Sequence, residues 1–168
     1  MARKVLVAGV GNIFLGDDAF GVEVVQRLAP RQWPEGVRVV DFGIRSYDLA
    51  YALMEDWELV ILVDAVSRGE APGTVYTLEP DVSGARSGAS QMGMGFDAHT
   101  MNPVSVLQLV SALGGKVGRM LVVGCEPATV DPDQTGHFGL TAPVLGAVDE
   151  AIQVIEELIA GSGQATAA

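Results

Sequence analysis

Apolar residues along the chain form two alternating kinds of segment, short continuous runs and longer stretches with helical spacing. Strands are predicted at residues 4–10, 37–42, 59–63 and 121–124, and the apolar runs at 59–63 and 121–124 are typical of strands buried on both faces of a parallel sheet. After residues 17, 46, 103 and 141, apolar positions recur every three or four residues, which predicts helices. Buried strands that alternate with helices indicate an α/β fold.

The connection after the third predicted strand differs from the others. Residues 67–73 contain one proline and two glycines and are too few for a crossover helix, and a further strand is predicted at residues 74–78. Strand connections of this length favour antiparallel pairing. We therefore predict a three-layer α/β/α sandwich with a twisted, mostly parallel five-stranded sheet and one antiparallel edge strand.

The length of 168 residues favours a single domain, which we place at residues 1–160, with a flexible tail at residues 161–168. Residues 80–98 are rich in glycine and small polar residues and show no period. Loops of this length inside a compact domain are usually functional or disordered.

Composition and charge exclude several classes of function. The net charge of −11 argues against nucleic acid or an anionic membrane surface as a partner, since both require a basic face. No apolar run approaches the roughly 18 residues of a membrane span, and no signal peptide is recognised, so we expect a cytoplasmic protein without membrane insertion. The core accounts for the apolar faces, which favours a monomer.

The stretch Gly9-Val-Gly-Asn-Ile-Phe-Leu-Gly-Asp-Asp-Ala-Phe-Gly21 joins the first strand to the first helix. Helix N-termini beside the carboxyl ends of strands are common ligand sites. The glycines suggest a phosphate or dinucleotide cradle, for which Asp41 would be the ribose-binding acid. However, Asp17 and Asp18 would repel a pyrophosphate and suit a cation. We assign helix capping to one of this pair and chemistry to the other.

Parallel strands bring Asp18, Asp41, Asp64 and the loop carrying His99 to one edge of the predicted sheet. Two carboxylates and an imidazole form an open site that suits nickel, zinc or manganese. The spacing is not a local motif, so the signal is weak, and each residue also has a structural interpretation.

Three further polar residues near this edge have structural interpretations. Glu126 is expected to satisfy backbone donors, and Cys125 to be a buried small residue rather than a nucleophile. His137 is expected to be a solvated loop residue.

The motifs taken together resemble the nickel–iron hydrogenase maturation endopeptidases. The resemblance spans nearly the whole chain, and its first motif, residues 9–22, is specific. The other motifs are Asp41-Phe-Gly43, Val63-Asp-Ala65, Pro72-Gly-Thr74, the His99 segment, Val123-Gly-Cys-Glu-Pro127 and Gly139-Leu-Thr141.

The resemblance implies an aspartyl-type endopeptidase that removes the C-terminal extension of a hydrogenase large-subunit precursor once nickel is inserted. It implies that Asp18, Asp64 and His99 contact the metal and carry the catalysis. The nickel would be carried by the substrate rather than resident, and other divalent ions would also fit the site. The segment Asp41, Phe42 and Gly43 would recognise the precursor, although Phe42 replaces the glycine that is commoner there.

Three alternative functions remain open at this point. A nickel-binding maturation chaperone without proteolysis would use the same three ligands, although the chain has no His-rich or Cys-rich tract. A dinucleotide-binding oxidoreductase is disfavoured by the paired aspartates. A general metallohydrolase would keep a resident metal and cut unrelated peptides.

Overall fold

A computed structural model of the protein describes residues 2–80, 103–128 and 138–161. The strands and helices within these ranges follow the predicted alternation. The strands are β1 (Val5–Val10), β2 (Val37–Gly43), β3 (Leu59–Ala65), β4 (Val75–Leu78) and β5 (Arg119–Cys125). The helices are a 3-10 helix (Gly16–Ala19), α1 (Phe20–Leu28), α2 (Ser46–Leu53), α3 (Pro103–Ala112) and α4 (Ala142–Ala160).

The five strands form one sheet in the order β2-β1-β3-β5-β4. β1, β2, β3 and β5 pair in parallel, and β4 pairs antiparallel to β5 at the edge. β4 does not pair with β3, which it follows in the chain, because β1 and β5 already occupy both sides of β3. The predicted α/β/α sandwich with one antiparallel edge strand is confirmed.

Each face of the sheet packs against two helices and forms its own apolar core. Helices α1 and α4 cover one face, and α2 and α3 cover the other. Along β3, alternate side chains enter opposite cores: Ile61 and Val63 face α1 and α4, while Val60 and Leu62 face α2 and α3. The sheet is therefore covered on both faces, and its carboxyl edge remains the natural place for a site.

The connection from β1 to α1 is tighter than predicted. The predicted helix from residue 17 begins instead as one 3-10 turn, in which the Asp18 N–H donates to the Leu15 carbonyl at 3.1 Å. A side chain at Gly11, where φ is +142°, would place its Cβ 1.9 Å from the Asp18 carbonyl oxygen. Glycine is required here because the strand end and the 3-10 turn approach so closely.

Gly21 allows a second close approach, between the first turn of α1 and the strands. A Cβ at Gly21 would lie 2.0 Å from the Val63 carbonyl oxygen and 2.4 Å from that of Val10. The turn that carries Asp18 is therefore packed directly against the end of β3, where Asp64 follows Val63.

Two predicted segments lie almost wholly outside the described residues. Apart from residue 80, the long loop predicted over residues 80–98 lies outside the described residues, as does the tail beyond residue 161. Over the ranges that the structure covers, no helix is both long enough and apolar enough to cross a membrane.

The close approach at Gly21 leads to a matched stability prediction. Gly21→Ala should lower the free energy of unfolding by about 3 kcal/mol or more, because the new methyl group meets two backbone carbonyls that cannot move independently. Gly146→Ala, in open space on α4, should raise it by up to about 1 kcal/mol through helix propensity. Urea unfolding of both variants tests this, and equal effects would contradict the packing argument.

Candidate functional site

Asp18 lies in the 3-10 turn that follows β1, with its carboxylate partly buried. Its Oδ2 accepts a hydrogen bond from the Asn12 N–H at 2.7 Å. The side chain of Asn12 in turn accepts from the Phe14 N–H at 2.9 Å. These two bonds fix the turn from both sides and hold Asp18 in one position relative to the end of β1.

Asp64 is the penultimate residue of β3, at the same edge of the sheet. It is only 8 % exposed, and the backbone N–H of Ala65 donates to its carboxylate. Because Gly21 packs on Val63, the 3-10 turn and the end of β3 are brought into contact. The structure thus brings Asp18 and Asp64 to one locus, as predicted from the sequence.

The electrostatics of this pair are unfavourable for two ionised carboxylates. Burial, and then the negative charge of Asp18, raise the pKa of Asp64 well above its ordinary value, and the Ala65 N–H only partly offsets them. Burial also raises the pKa of Asp18, against the opposing hydrogen bond from Asn12. Within the described ranges, neither carboxylate forms an ion pair with a lysine or arginine. A cation placed between them would relieve this repulsion.

Asp17 has a different role from its neighbour. Its carboxylate is fully buried and accepts hydrogen bonds from the Ala128 N–H at 2.8 Å and the Thr141 N–H at 2.7 Å. The Thr141 hydroxyl lies 2.9 and 3.1 Å from its two oxygens and donates to this carboxylate. Asp17 therefore joins the turn that carries Asp18 to the end of β5 and to the start of α4.

The capping prediction for the paired aspartates is therefore wrong. Neither side chain caps the 3-10 helix or α1, because Asp17 instead satisfies donors far away in the sequence and Asp18 binds Asn12. Thr141 does occupy the N-cap position of α4, but its hydroxyl donates to Asp17 and does not cap the helix.

The segment Asp41, Phe42 and Gly43 lies at the end of β2, beside the end of β1. Asp41 accepts hydrogen bonds from the Gly43 N–H at 2.9 Å and from the Gln26 side chain at 3.3 Å. The side chain of Phe42 is buried in the core beneath α2. Any contact of Phe42 with a precursor would therefore use its backbone, and the recognition role of this segment remains a prediction.

Glu126 follows β5 and is buried, as expected for a residue that satisfies backbone donors. Its carboxylate accepts from the Arg68 and Gly69 N–H groups at 2.8 and 3.2 Å and from the Tyr76 hydroxyl at 2.8 Å. Burial raises the pKa of Glu126, but these donors and the Glu70 N–H outweigh it and lower the pKa. Glu126 therefore fixes the connection between β3 and β4.

Cys125 is fully buried, as predicted. Burial, followed by the charges of Asp17, Glu150 and Glu126, raises the pKa of its thiol to about 12. A thiol with this pKa is protonated at neutral pH and is not a nucleophile.

His99 and His137 lie outside the described residues, so the third predicted metal ligand is not placed. In the part of the chain that the structure covers, no group of three His, Cys, Asp or Glu side chains is arranged to hold a metal ion. The structure therefore brings Asp18 and Asp64 together, and the binding of a metal by these two residues and His99 remains a prediction.

Known proteins resemble this chain in both sequence and structure. Residues 22–158, well over half of the chain, match the family model described as HycI, hydrogenase maturation protease. The chain belongs to this family. A putative hydrogenase maturation protease of Methanocaldococcus jannaschii is 34 % identical over 155 residues, which cover 91 % of this chain and 94 % of that protein.

Escherichia coli relatives extend the likeness to both sequence and structure. The hydrogenase 2 maturation protease of E. coli is 29 % identical over 161 residues, covering 95 % of this chain and 93 % of that protein. The solved structure of the hydrogenase maturating endopeptidase HybD from E. coli has a TM-score of 0.75 at 28 % identity and covers 96 % of this chain and 94 % of that one. This hydrogenase maturation protease is accordingly an enzyme, a hydrolase of the endopeptidase class.

The hydrogen bonds by which Asp17 supports the site could not be predicted from the sequence. The Asp17-Asp18 pair was visible, but the signal that separates the two roles is Thr141, which lies 124 residues away. No local pattern connects positions at that separation. The hydroxyl of Tyr76, which helps to hold Glu126, was missed for the same reason.

Asp17→Asn should destabilise this protease by about 2–3 kcal/mol. The Ala128 and Thr141 N–H groups bind different oxygens of the carboxylate, and asparagine replaces one of these oxygens with an NH2 group, so one buried donor loses its partner. Asp149→Asn, whose side chain is 95 % exposed, should change stability by less than about 0.5 kcal/mol. Urea unfolding of both variants measures the difference, and similar small effects for the two would contradict the role of Asp17.

The raised pKa of Asp64 predicts a pH-dependent gain in stability for Asp64→Asn. Between the unfolded and folded pKa values the folded protein binds more protons, so wild-type stability falls as pH rises through that window. Asparagine resembles the protonated acid and does not titrate, so the variant does not lose stability as the pH rises. At pH 7 the free energy of unfolding of the variant should exceed that of the wild type by about 1 kcal/mol. For a chain of this size, that difference raises the melting temperature by a few degrees.

The difference between Asp64→Asn and the wild type should grow between pH 4 and pH 7, as measured by calorimetry. A difference that stays constant across this range would show that the carboxylate of Asp64 does not titrate as the structure indicates.

Proposed function

We propose that this protein removes the C-terminal extension of a nickel–iron hydrogenase large-subunit precursor after nickel has been inserted. The membership of the hydrogenase maturation protease family supports the class of reaction. The metal-dependent part of the proposal rests on Asp18 and Asp64. These two carboxylates lie close together, have raised pKa values and form no ion pair with a basic residue among the described residues.

The nickel is proposed to arrive with the substrate. Carboxylate oxygens accept a divalent ion, and an imidazole completes a mixed oxygen and nitrogen set that suits nickel. Asp18 and Asp64 would supply the oxygens, and His99 is proposed as the nitrogen ligand. Two or three protein ligands leave positions for the ligands that the precursor itself contributes, and other divalent ions of similar preference would also bind.

The same residues are proposed to assist hydrolysis. A water molecule beside the metal would attack the scissile carbonyl carbon and lose a proton to a carboxylate, a role for which Asp64 is proposed. The carbonyl–nitrogen bond then breaks, and the leaving nitrogen takes up a proton. Holding the chain end next to this water supplies much of the acceleration, since it converts an encounter between two molecules into a step within one complex.

Recognition of the precursor is proposed to include the backbone of Asp41, Phe42 and Gly43. This segment lies one strand away from Asp18, because β1 and β2 are neighbours and the Gly11 N–H donates to the Gly43 carbonyl at 2.9 Å. A monomeric protein located in the cytoplasm is consistent with this proposal, and both properties remain predictions from the sequence.

The test is cleavage of a purified hydrogenase precursor, loaded with nickel or nickel-free, followed by intact mass measurement. The wild type should shorten the loaded precursor from its C-terminus and leave the nickel-free precursor whole. Asp18→Asn, Asp64→Asn and His99→Ala should each lower the rate about 100-fold or more, because each removes a ligand or proton acceptor.

Matched controls separate these effects from general damage. His137→Ala removes the only other histidine of the chain, and Asp149→Asn removes an exposed carboxylate, so both should cleave at the wild-type rate. Binding of the loaded precursor without any cleavage would instead favour a nickel-binding chaperone. Equal cleavage of loaded and nickel-free precursor would refute recognition of the metal.

A further inference from the structure

An exposed apolar surface lies beside the two carboxylates. It consists of the residues that follow β1, the residue that follows β2 and a residue shortly before α4, and we call it the apolar rim. Its members are Ile13, Phe14, Leu15, Ile44 and Phe138. Phe14 is 58 % exposed and Phe138 is 75 % exposed, although apolar rings of this size are normally buried.

The rim and the candidate active site are carried by the same segments of the chain. Asn12 donates its N–H to Asp18 and accepts from the N–H of Phe14, so one short turn carries both the carboxylate and the ring. On the other side, the Gly11 N–H donates to the Gly43 carbonyl, which places Ile44 at the same edge of the sheet. The rim residues therefore lie near Asp18 at the carboxyl edge of the sheet.

The two rings of the rim are held in a defined arrangement. Phe14 and Phe138 pack edge to face, with ring centroids 5.8 Å apart and an angle of 79° between the ring planes. Phe14 precedes Asp17 by three residues, and Phe138 precedes Thr141 by three residues. Because Asp17 and Thr141 are hydrogen-bonded, the same link fixes both backbone segments that carry the rings. Such a prearranged aromatic pair suits binding, since little freedom is left to lose.

The charges of the chain disfavour an acidic occupant of the rim, whose own side chains are apolar. The only basic residue next to Ile44 in the sequence, Arg45, pairs with Asp48 at 3.4 Å and donates to the carbonyls of Asp41 and Phe42. The chain has a net charge of −11, so an acidic segment would be repelled.

We propose that the apolar rim binds apolar side chains of the precursor segment next to the scissile bond, with Phe14 and Phe138 as the main contacts. This inference rests on the proposed function, because the occupant is the polypeptide that the protease cleaves. The carboxylates would recognise the metal, and the rim would align the chain that is to be cut.

The test is steady-state processing of the nickel-loaded precursor by the full chain and its variants. Phe14→Ala and Phe138→Ala should each raise KM about tenfold, with a smaller effect on kcat, because they remove contact area away from the reacting atoms. Phe138→Leu keeps an apolar side chain and should restore most of the loss. Tyr51→Ala, an exposed aromatic residue on α2 with 61 % exposure, is the matched control and should keep the wild-type KM.

Several outcomes would overturn the inference. The rim is not a docking surface if both alanine variants keep a KM within twofold of the wild type, or if Tyr51→Ala raises KM to the same extent. Thermal unfolding of each variant checks that the fold is retained.

Binding of the precursor tests the role of the rim separately from cleavage. The Kd of the nickel-free precursor, which the wild type is expected to leave whole, is measured for the wild type and for Phe14→Ala. A tenfold weaker Kd for Phe14→Ala supports the rim even if the wild type fails to cleave the nickel-loaded precursor, an outcome that would refute only the protease proposal. An unchanged Kd overturns the rim proposal, as does a lack of binding to both the nickel-loaded and the nickel-free precursor.

Discussion

The hydrogen bonds of Asp17 are the interaction on which the arrangement of the site depends. A buried carboxylate without a basic partner is stable only if donors surround it, and here the Ala128 N–H and the N–H and hydroxyl of Thr141 do so. Its negative charge also lies at the N-terminus of α4, where the helix dipole is favourable. The three segments at the carboxyl edge are thereby joined at one point, directly next to Asp18.

Adjacent aspartates can have separate roles because successive side chains in a 3-10 turn point about 120° apart. Asp17 points into the protein and joins three segments, whereas Asp18 is partly buried and lies close to Asp64. Gly11 and Gly21 make this possible, since any side chain there would force the turn away from the ends of β1 and β3. The local sequence thus specifies both the position of the turn and the division of roles.

The sequence predicted most of the fold because the dominant signals are local. Runs such as residues 59–63 are apolar throughout and could only be buried strands, and the short connection before β4 indicated an antiparallel edge. It also predicted that Asp18 and Asp64 meet, since parallel strands end at one edge. It could not predict that Asp17 binds Thr141 or that β4 pairs with β5, because these contacts join positions far apart in the chain.

Under the proposed function, the unfavourable electrostatics of Asp18 and Asp64 would allow the site to distinguish a nickel-loaded substrate from an empty one. Two carboxylates that repel each other and are partly desolvated gain most from a partner that brings positive charge. A precursor without metal offers no such charge and leaves the repulsion in place. Under the proposed function, the difference in binding between the two precursors therefore comes from strain that the free enzyme already carries, and a site with a balancing lysine or arginine would lose that discrimination.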